Sequence, residues 1–537
     1  GGISGNPNKI AISNSTSNGN ITGSEESVGG FVGYISGSKN IAMSISNSTS
    51  NFNTNGGGNH VGGFVGYISG NTLEITISNS NNNNIIINGG SDYVGGFVGY
   101  ISGSKNIAMN ISNSASNGNT NGGGNHVGGF VGYISGNKNT AMGIFNSTNN
   151  GNINGYGAHV GGFVGYISSN TTMTMTISDS VNNGIVTKRI GSNVGGFVGC
   201  ICGNTSVAIS NSVNNGNVTG LFYIGGFVGN ISGSTDITIL NSVNNGNIIG
   251  IAEDVGGFVG YMSGSTKNVT ILSSVNNGNV TGRIDYVGGF VGDISGSINM
   301  TISFSVNNGN VIGSDGRVGG FVGYISGSKN SAMNISNCTS NGNTNGDGDY
   351  VGGFVGYISG ITDLVISNSE SNGNLTGSGN NVGGLVGYMS GSTSVTMTIS
   401  NSTNDGSITG NGNNVGGFIG AFVYLIGANS NIFIALLNFA NNGNVSGSQN
   451  AGGFIGYISI PSGLNSITYI VNSANKGSVS AKQGMACGFV CVDSKYNMDV
   501  KTTIKNSINK GNVNAGTNGY GITNIITVAR NVVSMGD

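Results

Sequence analysis

The sequence has few charged residues, almost no proline and no tryptophan. Of its 537 residues, 17 are Lys or Arg, 19 are Asp or Glu and 2 are Pro. So few basic side chains cannot form the dense basic patch that nucleic-acid binding needs. Collagen is excluded because proline is rare and glycine does not recur at every third residue. No apolar run approaches the ~18 residues of a membrane-spanning helix. We therefore expect neither a nucleic-acid partner nor a membrane span.

Cysteine is also scarce, with five residues in the whole chain. If Cys200 and Cys202 lie on one strand, their positions are about 7 Å apart, which is too far to bridge easily. Cys487 and Cys491 would be further apart along an extended strand. An odd count leaves one cysteine over, so the sequence predicts no disulfide framework.

Glycine, by contrast, accounts for 103 residues, and its placement reveals a repeat. The string Val-Gly-Gly-Phe-Val-Gly-Tyr-Ile-Ser recurs about 15 times at a spacing of roughly 30–36 residues, which is typical of solenoids. Intact or varied copies begin at Val28, Val61, Val94, Val127, Val160, Val194, Ile224, Val255, Val287, Val318, Val351, Val382, Val415 and Ala451, and a degraded copy begins at Ala486.

Each repeat contains three strand-like pieces separated by Ser-Gly and Asn-Gly turns, and no segment has helical periodicity. The pattern predicts an all-β fold, a parallel β-solenoid of about 15–16 coils of roughly 33 residues with three short strands per coil. We expect residues 1–27 to form a partial first coil and 28–485 the array. Residues 486–537 would form degenerate terminal coils that could serve as a cap.

Polar exceptions assign the faces of the first strand. The position of Tyr34 is occupied in other repeats by Cys200, Asn230 and Asp293, and an unpaired Asp would be costly in a narrow core. We therefore expect the tyrosines to point outward and Phe31, Gly33 and Ile35 to point inward. Strict alternation then places the valine between Phe and Gly on the outer face too.

This outer stripe of valine and tyrosine is a candidate interface, because so long an apolar stripe exceeds what monomers usually expose. The alternative is that Val and Tyr are simply good strand formers. The candidate residues are Val32, Tyr34, Val65, Tyr67, Val98, Tyr100, Val131, Tyr133, Val164, Tyr166, Tyr324, Tyr357 and Tyr388.

Asparagine is concentrated at turns. Asn-Asn-Gly recurs, as at Asn182-Asn183-Gly184, and both residue types accept positive φ. Stacked Asn side chains are also expected to form hydrogen-bonded ladders from coil to coil.

The residues able to carry chemistry are scattered. His60, His126 and His159 occupy one position of the repeat, and His126 and His159 would stack about 5 Å apart. Two ligands do not make a zinc site, so a variable exposed corner residue is the favoured interpretation. Charges gather in the loop that precedes each repeat string, where a solvated corner is favoured over a specific binding site. They are Lys188, Arg189, Glu253, Asp254, Arg283, Asp285, Asp315, Arg317, Asp347 and Asp349.

Paired carboxylates, calcium clusters and nucleophile motifs are missing, so we expect no enzyme, no bound metal and no cofactor. Asn-x-Ser/Thr sequons permit N-glycosylation in a secreted eukaryotic protein without being evidence for it. Examples are Asn14, Asn47, Asn110, Asn217, Asn279 and Asn374.

The repeat resembles the GLUG-motif repeat, named for Gly-Leu-hydrophobic-Gly, over nearly the whole chain. Gly384-Leu385-Val386-Gly387 matches literally, and other copies have Phe for Leu. The resemblance implies a secreted or surface-attached, often non-catalytic array. We expect a structural, extracellular or cell-surface β-solenoid that forms or decorates a filament by self-association. The alternative is an adhesin or glycan-binding module that contacts glycans or a host surface.

Overall fold

The fold is built from short strands and, within the described residues, contains no helix. The computed structural model describes residues 1–5, 9–24, 26–37, 41–71, 73–90, 92–105, 107–137, 140–188, 190–233, 236–264, 268–296, 298–327, 331–360, 363–391, 395–424, 432–459, 466–492, 501–516 and 532–534. The predicted C-terminal cap falls partly on residues 493–500, 517–531 and 535–537, which lie outside the described residues.

Strands of successive coils pair in parallel and in register, which confirms the predicted parallel β-solenoid. In one example His60 pairs with Tyr93 and Val61 with Val94. The valine that opens the next strand pairs in the same way, Val65 with Val98. Equivalent residues are therefore stacked directly on one another along the coils.

Each coil contains more strands than the three that the sequence predicts, and they belong to four sheets. The difference arises because the predicted first piece bends at its Gly-Phe pair and the predicted turn regions also pair between coils. One coil consists of His60–Gly62, Val65–Asn71, Leu73–Ser78, Asn81–Asn82 and Ile86–Gly89. A later coil consists of Arg317–Gly319, Val322–Ser326, Ala332–Ser336, Thr339–Ser340 and Thr344–Gly346.

The chain divides into two compact units. The first comprises Gly1–Ile251, Gly257–Thr270 and Ser274–Gly278, and the second comprises Ala252–Gly256, Ile271–Ser273 and Asn279–Asp537. The same coil plan occurs in both units.

Two strand columns carry the candidate site residues. In the first unit, the column that opens each coil comprises Ser27–Gly29, His60–Gly62, Tyr93–Gly95, His126–Gly128, His159–Gly161, Ser192–Gly195 and Phe222–Gly225. In the second unit it comprises Val255–Gly256, Tyr286–Gly288, Arg317–Gly319, Tyr350–Gly352, Asn381–Gly383, Asn414–Gly416, Asn450–Gly452 and Ala486–Cys487.

The column that follows starts at the valine after the bend. In the first unit it comprises Val32–Gly37, Val65–Asn71, Val98–Lys105, Val131–Gly136, Val164–Ser178, Val198–Ser210, Val228–Ser232 and Val259–Ser263. In the second unit it comprises Val291–Ile294, Val322–Ser326, Val355–Ser359, Val386–Gly391, Ile419–Tyr424, Ile455–Ser459 and Val490–Val492.

Phenylalanine forms the centre of the core, as predicted. The rings of Phe64 and Phe97 stack with centroids 4.8 Å apart and are fully buried. In the second unit Phe321 stacks on Phe354 at the same 4.8 Å, and Leu385 is fully buried in the equivalent position. The stacking distance equals the spacing of paired strands, so the register of the sheets holds the rings in contact.

Asparagine has two separate roles, a turn with positive φ and a side-chain ladder between coils. The sequence prediction placed the ladder on the right residues and the turn on the wrong ones. Positive φ occurs at the Asn of Ile-Ser-Asn-Ser, for example Asn79 and Asn211, both at 49°, and not at Asn182 or Asn183. The αL turn therefore lies at the preceding corner. A polar side chain that bonds locally makes Asn one of the few non-Gly residues suited to it.

The predicted asparagine ladders are confirmed. Inside the first unit, Nδ2 of Asn182 donates to Oδ1 of Asn214 (2.8 Å), and Asn214 donates in turn to Asn244 (2.7 Å). The amide of Asn182 also donates to the carbonyls of Gly184 and Gly196. A second ladder runs along the surface through Asn183 and Asn215. The inner ladder gives buried polar groups the partners they need.

The Gly-Gly pair of the repeat is required because other atoms of the chain lie too close to leave room for a side chain. A Cβ added to Gly162 would lie 1.9 Å from the carbonyl oxygen of Gly196 and 2.3 Å from Nδ2 of Asn182. A Cβ on Gly161 would lie 1.9 Å from the carbonyl oxygen of Val164. The sharp bend between the two strand columns is thus open only to glycine.

Candidate functional site

The valines of the candidate interface are buried, so their predicted outward exposure was wrong. Val32 is 5% exposed, and Val65 and Val98 are fully buried. The N–H groups of both Phe31 and Val32 donate to the carbonyl of Phe64, at 2.9 and 3.0 Å. Two successive donors to one acceptor mark a bend, so strand alternation cannot be counted through Phe31. The remaining valines of the predicted stripe are likewise fully buried, namely Val131 and Val164.

The tyrosines of the interface are partly buried by side chains of their own chain. We call their position the tyrosine slot and the position before the first valine of each repeat the leading slot. The ring of His60 lies 4.4 Å from that of Tyr67, and the ring of Tyr93 lies 4.7 Å from that of Tyr100. Intermediate exposure is shared by Tyr67, Tyr100, Tyr133, Tyr166, Tyr324, Tyr357 and Tyr388, whereas Tyr34 is 39% exposed.

Together the two slots form a double column of rings in the first unit. Tyr100 stacks on Tyr133 at 4.8 Å, and His126 lies between Tyr133 and Tyr166 at 4.9 and 4.7 Å. The rings of His60, Tyr93 and His126 thus each contact the tyrosines of their own coil and of the next one. Sequence reasoning considered the tyrosines and histidines separately because the bend that brings them together has no obvious sequence signal.

The three histidines are half-buried to buried, so the predicted exposed corner was wrong. His126 and His159 lie 4.9 Å apart, as expected from their stacking. Burial lowers the pKa of His126 to about 4 and, with help from the neighbouring His126 and Lys188, that of His159 to about 3. Nδ1 of both rings is buried without a hydrogen-bond partner. Both rings are therefore neutral near pH 7.

Lys188 is buried, and the hydrogen-bond acceptors of its side-chain nitrogen are backbone carbonyls instead of acidic side chains. It is 2% exposed, although its loop was predicted to be a solvated corner. Its Nζ donates to the carbonyl of Ala158 (2.6 Å) and to that of Ser192. Burial lowers the pKa of Lys188 to about 7. Arg189, which belongs to the same predicted corner, lies outside the described residues.

In the second unit an arginine takes the place of a ring in the leading slot. The guanidinium of Arg317 lies 5.0 Å from the ring centre of Tyr286 and 5.4 Å from that of Tyr357. It also forms an ion pair with Asp285 at 3.5 Å. Cation–π contact explains how a charged residue can substitute for a ring in this column.

Two acidic residues of the same column are buried in the second unit, against the prediction that both positions are exposed. Asp254, in the leading slot, is 3% exposed and Asp293, in the tyrosine slot, is 5% exposed. One carboxyl oxygen of each has no hydrogen-bond partner. Burial raises the pKa of both to about 8, with Glu253 and Asp285 adding to the effect on Asp254 and Asp254 adding to that on Asp293.

The other tyrosine-slot exceptions are buried as well. Asn230 is 9% exposed and donates to Oδ1 of Asn193 in the leading slot at 2.9 Å, and Cys200 is fully buried. The substitution of Tyr by a polar residue therefore does not mark an exposed position. Asn230 is contacted by the leading slot, as the tyrosines are.

Four cysteines form disulfides, contrary to the sequence prediction. Cys200 bonds to Cys202 with Cα atoms 6.1 Å apart, and Cys487 bonds to Cys491 with Cα atoms 5.5 Å apart. Both distances fall in the usual disulfide range. Cys487 and Cys491 approach because the chain bends between them at Gly488–Phe489 instead of remaining extended. Cys338 is free and buried.

The six sequon asparagines named above are all exposed. Some are also fixed by the coil stack, since Oδ1 of Asn217 accepts from the backbone N–H of Asn247 (2.8 Å) and Oδ1 of Asn374 from that of Ser407 (3.0 Å).

The described residues contain no group of three or more His, Cys, Asp or Glu placed to hold a metal ion. Nor does the described part of the chain include an apolar helix of membrane-spanning length. No protein-family model matches the sequence, and no curated protein or solved structure is significantly similar to it. The geometry of the chain identifies a β-solenoid repeat protein of about 14 turns.

Proposed function

We propose that this chain is a structural, extracellular β-solenoid that self-associates and so forms or decorates a surface filament. The observation that carries the proposal is an exposed apolar corner in the first unit, made of Ile190, Phe222 and Ile251. Their side chains are 64%, 37% and 41% exposed. They lie on successive coils, since Ser192 pairs with Phe222 and the N–H of Ile251 donates to the carbonyl of Gly220.

A second copy of the chain is the proposed occupant of this corner. Large apolar side chains grouped on a polar surface favour contact with another protein. The formal net charge of -2 over 537 residues gives little long-range repulsion between copies. The valine stripe no longer supports self-association, because the coil itself covers it.

Two features support the extracellular assignment. The Cys200–Cys202 and Cys487–Cys491 disulfides favour an oxidising compartment. The copy Gly384-Leu385-Val386-Gly387 has the literal GLUG pattern, and Leu385 occupies the same buried position as the phenylalanines. We accordingly propose that the array is of the GLUG type and has no catalytic activity.

Sedimentation velocity and electron microscopy of the purified full chain test the proposal. We expect concentration-dependent oligomers that Ile190→Ser, Phe222→Ser and Ile251→Ser together convert to monomers. The matched control is Phe52→Ser with Ile85→Ser, which removes apolar side chains 45% and 73% exposed elsewhere in the same unit. A parent chain that remains monomeric at every concentration, or an equal effect of the control, would contradict the proposal.

A glycan-binding module is the second candidate function. It is favoured by a groove of about 440 Å³ in the first unit, lined by glycine, asparagine, threonine and one tyrosine. Its volume lies within the range of small-ligand sites.

A further inference from the structure

Glycines line the groove in the first unit, and two of them, Gly57 and Gly90, are not required by the fold. A Cβ added to Gly90 would meet no atom closer than 3.9 Å, and one added to Gly57 none closer than 3.6 Å. Neither has positive φ. Gly162 at the bend differs, because a Cβ there would collide with backbone. The absence of side chains at Gly57 and Gly90 therefore leaves open space that packing does not need.

Equivalent corners of the second unit carry side chains. The N–H of Gly90 donates to the carbonyl of Gly56, and the same backbone bond is made by Asp347 and by Ser378 in their coils. The corner thus accepts larger residues with unchanged backbone pairing. In the first unit the glycine run ends at Tyr156, whose N–H makes this bond with Gly122 (3.0 Å).

The wall of the groove is an ordered row of amides. Nδ2 of Asn88 donates to Oδ1 of Asn55 (2.8 Å), Asn121 donates to Asn88 (2.9 Å) and Asn154 donates to Asn121 (3.0 Å). Each bond uses one of the two amide hydrogens and one of the two lone pairs of the oxygen. The ladder holds the amides in fixed directions, which lowers the entropy cost of binding through their remaining donor and acceptor sites.

The ring of Tyr156 closes one end of this row. It is 48% exposed and lines the groove together with the asparagines and glycines. An exposed tyrosine offers an apolar face and a hydroxyl group. No residue that lines the groove carries a charge, so nothing there matches a phosphate, a carboxylate or a basic peptide.

We propose that this groove binds a neutral, extended oligosaccharide of β-linked pyranoses. The glycine floor admits the chain, the amides bond its hydroxyl groups, and the ring of Tyr156 packs against the apolar face of a terminal sugar. The amides recur at the spacing of paired strands, about 4.8 Å, and an extended β-linked glycan presents its hydroxyl groups in a comparable linear series. This inference rests on the second candidate function and is independent of self-association.

Calorimetric titration of the full chain with cellohexaose and chitohexaose tests the site. We expect binding of at least one of them, with affinity reduced about fivefold or more by Tyr156→Ala, because ring stacking contributes about 1 kcal/mol beyond burial. Gly90→Val fills the floor and abolishes binding. The matched control Ser378→Val, at the equivalent corner of the second unit, leaves affinity unchanged. Circular dichroism confirms that each variant is folded.

Three results would overturn the inference. They are no heat of binding with either hexasaccharide at millimolar concentration, binding that persists in folded Tyr156→Ala and Gly90→Val chains, and equal binding of a charged alginate hexamer. Sedimentation of the same variants distinguishes a failure of the sugar-binding inference from a failure of the self-association proposal. If sugar binding is lost while oligomers persist, only the sugar-binding inference fails. If the chain is monomeric but still binds sugar, only the self-association proposal fails.

Discussion

The side-chain amide of Asn182 donates to Oδ1 of Asn214 at 2.8 Å and so joins two successive coils inside the first unit. Asn214 passes the same interaction to Asn244. Backbone pairing holds the coils together at their sheets. These buried amides do the same at the turns, where the strands of each coil are only two residues long.

Asn214→Ala is expected to destabilise the first unit by about 1–3 kcal/mol, because the buried acceptor Oδ1 of Asn244 loses its donor. The comparison variant is Asn215→Ala, whose amide belongs to the exposed ladder and whose loss water compensates. Urea unfolding followed by circular dichroism measures both. Equal unfolding midpoints for the two variants would show that the inner ladder has no special role.

The repeat sequence predicts the parallel solenoid, the buried phenylalanines and the asparagine ladders, because each depends on residues that recur in every coil. It does not predict that Val32 is buried, since the bend at Phe31 restarts the alternation and leaves no sequence mark. Nor does it predict the burial of Asp254 and Asp293. Each of these residues is a polar exception to the repeat. A polar exception at a position predicted to face outward is ordinarily taken to be exposed.

The stability of the second unit is expected to fall as the pH rises from about 4 to about 8. Asp254 and Asp293 have folded-state pKa values raised above 3.8, so their contribution is complete at pH below about 4 and is lost as they ionise. Asp254→Asn should remove part of this loss and exceed the parent's stability by more than about 1 kcal/mol at pH 9, with little difference at pH 4. The measurement is the thermal midpoint against pH.

Asp285→Asn serves as the control for that series. Asp285 is paired with Arg317 at 3.5 Å and is partly exposed, so this change should lower stability slightly or not at all. Arg317 lowers the pKa of Asp293, and Glu253 and Asp285 raise that of Asp254. Identical pH profiles for the parent and Asp254→Asn would refute the prediction.

The first unit should respond to acid instead. His126 and His159 have folded-state pKa values lowered from 6.5 to about 4 and about 3, so the unfolded chain takes up protons first. The contribution of these two histidines is therefore constant above about pH 7 and decreases as the pH falls from 6.5 toward 4. His126→Tyr with His159→Tyr should reduce the acid-induced loss of stability, and burial of His60, whose pKa is also lowered, accounts for part of what remains. The leading slot already holds Tyr93, so the ring column is kept.

Thermal midpoints at pH 7 and pH 5 provide the test. The parent should lose stability between the two, and the double tyrosine variant should lose clearly less. The result that argues against burial of neutral imidazoles is an equal loss in both proteins.

Cys338 should be unreactive in the folded chain. Burial raises the pKa of its thiol to about 12, and its Sγ donates to the carbonyl of Ser336 at 3.3 Å. The neighbouring coil places Ser369 at the same position, with the same bond to Ser367. Cys338→Ser is therefore expected to change stability by less than about 1 kcal/mol.

Maleimide labelling with mass spectrometry checks this expectation. Without reductant we expect labelling of Cys338 only in urea, with Cys200–Cys202 and Cys487–Cys491 recovered as intact disulfides. Labelling of Cys338 in native buffer would contradict the buried placement.

The parallel register of the coils has a mechanical consequence. Within each unit the backbone hydrogen bonds between coils run along the direction in which the coils are stacked. Tension along that direction loads the bonds of one interface at a time, so the coils should peel off in sequence instead of rupturing together. Each released coil of about 33 residues adds about 110 Å of extended chain. Force spectroscopy should therefore record a regular staircase in which every step is one repeat.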